Sequence, residues 1–191
     1  MSRKEGSPRW SALFGDLDGL LDGLVEMQER EELAERTRIE AASLTLADRL
    51  RPAAAHVLDL HCRGAGRLRG RLQRVGTDWL ELIEPIGCAV VVPLASVLAV
   101  SGLGRWSATA DGEVDRRLGL GSVLRELVRD RATVQVVLVD GSQLAGTVDR
   151  VGADFVELAE HPLDQPRRVA SVRRVWTLPR AAVAAVRRPV V

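Results

Sequence analysis

Three of the four residues considered first for chemistry lie close together in the sequence, and their imidazole and thiol groups could bind a transition metal. The four are His56, His61, Cys62 and Cys88. Structural zinc sites usually draw their ligands from closely spaced pairs that point the same way. His61 and Cys62 are adjacent, so in an extended strand their side chains point to opposite faces. The spacing therefore predicts no metal site, and we expect no cofactor.

Pairs of acidic residues recur at two equivalent places and are the next candidates for chemistry. They are Asp78 with Glu81 and Asp154 with Glu157. Each pair follows a Val-Gly step typical of a tight turn, and a structural role in that turn explains it better than acid–base catalysis. The sequence also lacks the glycine-rich phosphate loop, the dinucleotide fingerprint and the nucleophile-elbow motif. We therefore expect no enzymatic activity and infer no small-molecule substrate.

A row of arginines is the strongest candidate for a binding surface. With Leu68 and Leu72 facing a core, Arg67, Arg69 and Arg71 project together from the opposite face of one strand, and Trp79 lies on the outer face of the next. Arginines beside an exposed aromatic ring can neutralise phosphates and stack bases. The alternative is a solvated arginine face with Trp79 packed under a helix or the other repeat. That alternative is favoured, because the second repeat has Gln143, Ala145 and Thr147 at the arginine positions.

A second basic cluster lies in a long hairpin near the C-terminus. It comprises Arg167, Arg168, Arg173 and Arg174. It is interpreted either as a contact loop or, with more weight, as a solvated loop. The formal net charge of +1 shows no overall basic excess of the kind that usually marks nucleic-acid-binding domains.

An internal repeat organises the chain. Residues 68–84 and 144–160 share nine identities in seventeen positions, including Gly76/Gly152 and Asp78/Asp154. Alternating apolar residues precede both segments, and an Asp140-Gly141 step predicts a hairpin turn in the second. Downstream, VVVPLASVLAV at 90–100 matches VWTLPRAAVAAV at 175–186. Such repetition indicates a duplicated module of about fifty residues.

Each repeat predicts five short strands that form a small barrel, because closure removes exposed sheet edges. The expected fold class is mainly β with helices (α+β), with two tandem five-stranded Sm-like or SH3-like small barrels, each preceded by a helical segment. The expected divisions are an N-terminal helical region at 1–52, the first barrel at 53–104, a linker and helix at 105–132, and the second barrel at 133–191.

Apolar residues at helical spacing predict a helix before each barrel. Before the second barrel it includes Leu120, Leu124 and Leu127, with Asp115 as the expected N-cap. At the N-terminus a broad apolar face needs a partner, either a barrel or another chain. This candidate assembly face comprises Trp10, Leu13, Phe14, Leu17 and Leu24.

The pattern of a helix followed by five strands resembles the Sm-like superfamily. The residues that carry the resemblance are Gly70-x-Leu72-x-x-Val75 with its equivalent in the second repeat, and the Val-Gly-x-Asp corner. The corner is more similar to divergent bacterial members, including the C-terminal barrel of a ribosome-maturation factor. The resemblance spans 57–100 and 133–187 and implies RNA binding and ring formation by strand pairing between barrels. Neither repeat has the family's uridine-contacting Asn or Arg-Gly, so no family RNA-contact residue is assigned, and SH3-like barrels remain an alternative.

The functional expectation is a non-enzymatic binding or scaffold protein, with a protein partner or self-association. The alternative is an RNA-binding regulator of Sm-like type that uses the arginine row. The chain has only two cysteines and no apolar stretch long enough to span a bilayer, so we expect a cytoplasmic location without membrane association.

Overall fold

The computed structural model describes residues 44–104, 118–164 and 171–189, together with Met27, Glu35 and Ala42 as single residues. The chain divides into two compact units, Met1–Leu44 and Thr45–Val191. In the first unit, the three single residues have helical conformation and are exposed to solvent. The second unit carries the strands and the helices described below.

Ten strands make up the second unit's sheet. They are β1 (Val57–Cys62), β2 (Gly66–Val75), β3 (Trp79–Ile83), β4 (Ala89–Pro93), β5 (Val97–Ser101), β6 (Thr133–Leu138), β7 (Gln143–Val151), β8 (Phe155–Glu160), β9 (Arg174–Pro179) and β10 (Val183–Arg188). Their order across the sheet is β5-β1-β2-β3-β4-β10-β6-β7-β8-β9, and each neighbouring pair is antiparallel. The five strands of the first half and the five of the second therefore follow the same relative order.

The prediction of two tandem five-stranded barrels is wrong, because these strands form one continuous antiparallel sheet that does not close. The halves are joined by β4 and β10, with Val91 opposite Val186 and Val90 opposite Arg187. All five residues of β4 and the first four of β10 are buried. A strand that is apolar on both faces needs a packed layer against each face, and here the first core covers one face of β4 and the second core covers the other. The apolar pattern alone assigns each of these strands to a barrel of its own repeat, and that prediction is wrong.

Two hydrophobic cores lie on the sheet, and the central strands contribute to both. Leu58, Leu72 and Leu80 belong to the first core, and Leu124 and Leu158 to the second. Along β4 the side chains alternate between them: Val90 and Val92 enter the first core and Val91 enters the second. Because adjacent side chains of a strand point to opposite faces, one central strand can hold both cores together.

Two short α-helices accompany the sheet in the described part of this unit. Helix α1 (Leu46–Leu50) begins with a capping box, in which Thr45 and Asp48 exchange hydrogen bonds between side chain and backbone. Helix α2 (Leu120–Arg129) buries its apolar face in the second core. Its N-cap is Gly119 rather than the expected Asp115, and glycine has no side chain with which to cap the helix.

Two turns, one from each half, meet beside the central strands. Gly64 in the β1–β2 turn has a φ of +69°, and a Cβ added there would lie 2.1 Å from the carbonyl oxygen of Leu138. Gly141, in the expected Asp140-Gly141 turn, has a φ of +89°. Glycine at position 64 is therefore required both by its left-handed backbone and by the closeness of the other half.

Replacing Gly64 with alanine tests this contact, with Gly66→Ala as a matched control. Gly66 also has a φ of +69° but has no atom within 4 Å of an added Cβ. We expect Gly66→Ala to lower the free energy of unfolding by about 1 kcal/mol through backbone strain alone. Gly64→Ala should cost about 1–3 kcal/mol more, because its methyl group must displace backbone of the other half. Urea denaturation measures both, and equal losses would contradict a tight contact between the turns.

Candidate assembly and nucleic-acid interfaces

Polar contacts reinforce the pairing of β4 with β10, which we call the central junction. Glu84 and Arg187 form an ion pair at 3.6 Å, and both side chains are largely shielded from solvent. The Ser96 hydroxyl donates to the carbonyl oxygen of Val183 at 3.1 Å. The Cys88 thiol donates to the carbonyl oxygen of Arg188 at 3.3 Å. The halves are thus joined by specific contacts as well as by apolar burial.

The two outer strands of the sheet are the repeat equivalents of the two central ones. By sequence, β5 corresponds to β10 and β9 corresponds to β4. In the described sheet, β5 pairs only with β1, and β9 pairs only with β8. Leu98 on β5 is 55% exposed and Val175 on β9 is 54% exposed, whereas their equivalents Ala184 and Ala89 are buried. The sheet therefore ends in two exposed edges that carry apolar side chains.

Residues 76–79, the first corner, hold the segment that leads into helix α2. The amide N–H of Thr77 and the indole N–H of Trp79 both donate to the carbonyl oxygen of Leu118, at 3.1 and 2.9 Å. Trp79 is completely buried. A Cβ on Gly76 would lie 2.5 Å from that same oxygen, so glycine permits the close approach.

The first corner also caps helix α2. The Asp78 carboxylate accepts a hydrogen bond from the amide N–H of Leu120 at 2.7 Å, which replaces the side-chain cap that Gly119 lacks. The Arg74 guanidinium forms an ion pair with Glu126 of α2 at 3.1 Å and lies 5.1 Å from the centre of the Trp79 ring. From the sequence, Asp78 is predicted to act only within its own turn, and this capping role is not predicted. The only signal for it was a helix that starts without a capping side chain.

Residues 152–155, the second corner, have the same internal geometry but a more open surface. Gly152 N–H donates to the carbonyl oxygen of Phe155 at 2.9 Å, and the equivalent bond from Gly76 to Trp79 is also 2.9 Å long. Phe155 is only half-buried. Within the described residues, no hydrogen bond reaches the amide N–H of Ala153 or the carboxylate of Asp154. The second corner thus resembles the first without the segment that the first one holds.

The arginine face, formed by Arg67, Arg69 and Arg71, is exposed as the strand pattern predicts. Leu68 and Leu72 between these arginines are buried. Arg69 lies 3.4 Å from Asp59, but both side chains are more than half exposed, so this ion pair contributes little to stability. The guanidinium groups thus remain accessible to an anionic ligand.

Trp79 is not available for base stacking. Its ring lies in the second core with residues of α2, as the alternative interpretation of the sequence has it. Any nucleic acid on the arginine face must therefore bind without this aromatic residue.

The equivalent face of the second half is neutral and partly covered. Thr147 takes the position of Arg71, and its side chain is buried against His161 with 2.8 Å between the hydroxyl oxygen and Nε2. The His161 Nδ1 lies 2.9 Å from the carbonyl oxygen of Pro162. Because a carbonyl only accepts, Nδ1 carries a proton and donates to Pro162. An exposed arginine row is thus a feature of the first half.

One predicted cluster lies partly outside the described residues, and another lies wholly outside them. Arg173 and Arg174 are exposed, and the Arg174 guanidinium lies 4.9 Å from the centre of the Trp176 ring. Arg167 and Arg168 lie outside the described part of the hairpin. The residues of the candidate assembly face also lie outside the described residues; these are Trp10, Leu13, Phe14, Leu17 and Leu24.

The histidines and cysteines first considered for metal binding are not brought together. Cys62 is buried in the first core, and burial raises the pKa of its thiol to about 11. Burial also raises the pKa of Cys88, with Glu84 adding to the effect. His61 is exposed. In the ranges that the structure describes, no cluster of three or more His, Cys, Asp or Glu side chains is arranged to hold a metal ion.

Comparison with family models, with curated proteins and with solved structures found no match for this chain. None of the described helices is long and apolar enough to cross a membrane. The function must therefore be inferred from the chain's own residues.

Removing the Asp78 carboxylate tests the cap across the halves, and Asp154→Ala is the matched control. We expect Asp78→Ala to lower the free energy of unfolding by about 1 kcal/mol, the usual cost of losing a helix cap. Asp154→Ala should change it little in dilute solution, because no described N–H donates to that carboxylate. Urea denaturation provides both values. Similar losses would mean that Asp78 acts only within its own turn.

Proposed function

We propose that this chain is a non-enzymatic scaffold protein that assembles with copies of itself by pairing the two edges of its sheet. One observation carries this proposal: β5 and β9 are the equivalents of β10 and β4, which already pair at the central junction. The chain thus contains one complete pairing, between β4 and β10. It also contains one unpaired equivalent of each of these strands, β9 and β5. Unpaired strand edges with exposed apolar side chains favour pairing with another chain.

The central junction suggests a register for the contact between copies. Val186 lies opposite Val91, and Arg187 lies opposite Val90. The corresponding pairs are Val100 with Thr177 and Ser101 with Trp176. Because β9 and β5 are different surfaces, the contact is head-to-tail, and repetition produces a ring or a filament according to whether the rotation closes.

Lack of catalysis is part of this proposal. Cys62 and Cys88 are the chain's only cysteines, and both are buried with pKa values above the ordinary range for a thiol. Neither therefore supplies a thiolate nucleophile at neutral pH. We also propose a cytoplasmic location, because both thiols are free rather than joined in a disulfide.

Lysine substitutions at the two edges test the assembly. Leu98 and Val175 are both exposed, so Leu98→Lys and Val175→Lys should leave the fold intact while placing a charge where a second strand would pair. We expect wild-type mass to rise with concentration and each variant to weaken association by about tenfold or more, that is, by at least 1.4 kcal/mol. Light scattering coupled to size-exclusion chromatography measures the mass.

Ile86→Lys is the control, because Ile86 is 82% exposed and lies in the β3–β4 turn rather than on an edge. It should assemble as the wild type does. A wild type that stays monomeric at every concentration, or edge variants that associate normally, would contradict the proposal.

A second candidate function, RNA binding, is supported by the exposure of the arginine face. Successive arginines lie two residues apart on β2, which spaces them by about 6.6 Å along the strand. Such a row can contact several phosphates of one single strand. Without Trp79 as a stacking surface, the contact would be mainly electrostatic and little dependent on sequence.

Replacing Arg67, Arg69 and Arg71 together with alanine tests this second function. If the face binds RNA, affinity for a single-stranded oligonucleotide should fall, and its dependence on log salt should become shallower by about 0.7 for each lost phosphate contact. Fluorescence anisotropy across a salt series measures both quantities. The control replaces three exposed arginines that belong to neither basic cluster, Arg125, Arg129 and Arg131. Equal losses in both triple variants would indicate nonspecific charge, and absence of wild-type binding at low salt would exclude the function.

A further inference from the structure

The two corners have the same backbone geometry but differ in what they hold. In each, the glycine N–H bonds the aromatic residue's carbonyl, and the aspartate carbonyl accepts an N–H from the turn before the last strand, at 2.8 Å from Leu94 and 2.7 Å from Arg180. The first corner also binds the backbone on both sides of Gly119. The second corner has an equivalent carboxylate and amide, and no described backbone segment binds them.

The side chains around the second corner are correspondingly more exposed. Trp79 is fully buried, whereas its equivalent Phe155 is only half-buried. The Arg74 side chain is 27% exposed and bonds helix α2, whereas that of Arg150 is 70% exposed. Both side chains are more exposed at the second corner than at the first. This indicates that the second corner lacks a backbone segment like the one that covers the first.

The chain contains a second segment like the one that fills the first corner. Helix α2 follows Leu118-Gly119-Leu120, in which Gly119 is the N-cap and Leu120 the first helical residue. Helix α1 follows Leu44-Thr45-Leu46, in which Thr45 is the N-cap and Leu46 the first helical residue. Leu120 is buried, but Leu44 is 50% exposed and Leu46 is 39% exposed.

We infer that the second corner is a docking site for residues 44–46 of another copy of this chain. By analogy with the first corner, the Ala153 N–H would donate to the carbonyl of Leu44, and the Asp154 carboxylate would accept from the N–H of Leu46. The inference rests on the proposed self-assembly and assigns its second contact. Corner docking and edge pairing join the same two sides of neighbouring copies. Within the chain, β4 pairs with β10 and the first corner binds the start of α2. Between copies, β9 and the second corner of one would therefore meet β5 and the start of α1 of the next.

Two differences make this contact weaker than the one within the chain. Phe155 lacks the indole N–H with which Trp79 bonds Leu118, so one hydrogen bond is lost. Helix α1 is already capped by Thr45, whereas α2 relies on Asp78. The docking of α1 is therefore reversible, while α2 remains bound to the first corner.

Two complementary variants test the inference. Asp154→Lys replaces the carboxylate that would accept the Leu46 N–H with an ammonium group, which can only donate. Leu44→Ser with Leu46→Ser removes the apolar groups of the docking segment. Each variant alone should associate at least tenfold more weakly than the wild type. An equimolar mixture should form 1:1 dimers that do not extend, because only one functional pair of surfaces remains.

Sedimentation velocity on each variant and on the mixture separates the outcomes. Ile86→Ser serves as the control and should assemble normally. If both corner variants assemble normally while Leu98→Lys and Val175→Lys do not, the corner inference is wrong and edge pairing stands. If the mixture stays monomeric, the two surfaces do not bind each other, and the inference is also wrong. A monomeric wild type would overturn both proposals.

Circular dichroism on each variant verifies the fold. If serine at position 46 melts α1, Leu44→Ser alone provides the test, since Leu44 precedes the helix. The same loss of association and the same recovery in the mixture are then expected.

Discussion

The pairing of β4 with β10 is the constraint on which the rest of the second unit depends. All of β4 and the first four residues of β10 are buried, so both faces of each strand need a packed core. Their pairing places Val90 in one core and Val91 in the other. The two cores and the continuous sheet therefore follow from one contact between strands that are far apart in the chain.

This contact also makes the two halves unequal, although they share a sequence pattern. The first half offers its corner to α2, and Asp78, Trp79 and Arg74 all take part in holding that helix. In the second half, Arg180 bonds the carbonyls of Ala153 and Asp154, but no described residue bonds the Ala153 N–H or the Asp154 carboxylate. A duplicated module that is joined head-to-tail in an open sheet leaves one unused copy of each side, which is why we propose assembly of further copies.

The two halves also differ in the charge of their surfaces. The arginine face belongs to the first half alone, because Thr147 and His161 make a buried, hydrogen-bonded pair at the equivalent place in the second. The face lies on β2, whereas the unpaired edges are β5 and β9. An anionic ligand on this face and assembly through the edges therefore use different strands.

The sequence by itself determined the repeat, the alternation that buries Leu68 and exposes Arg69, and the turns at Gly76 and Gly152. These features depend on local backbone geometry and on the period of two residues along a strand. Only the tertiary structure decided which strand pairs with β4, because alternation specifies the face of a side chain but not the neighbouring strand. For the same reason Trp79 was assigned to the correct face, but its cover by α2 depended on contacts between residues about forty positions apart.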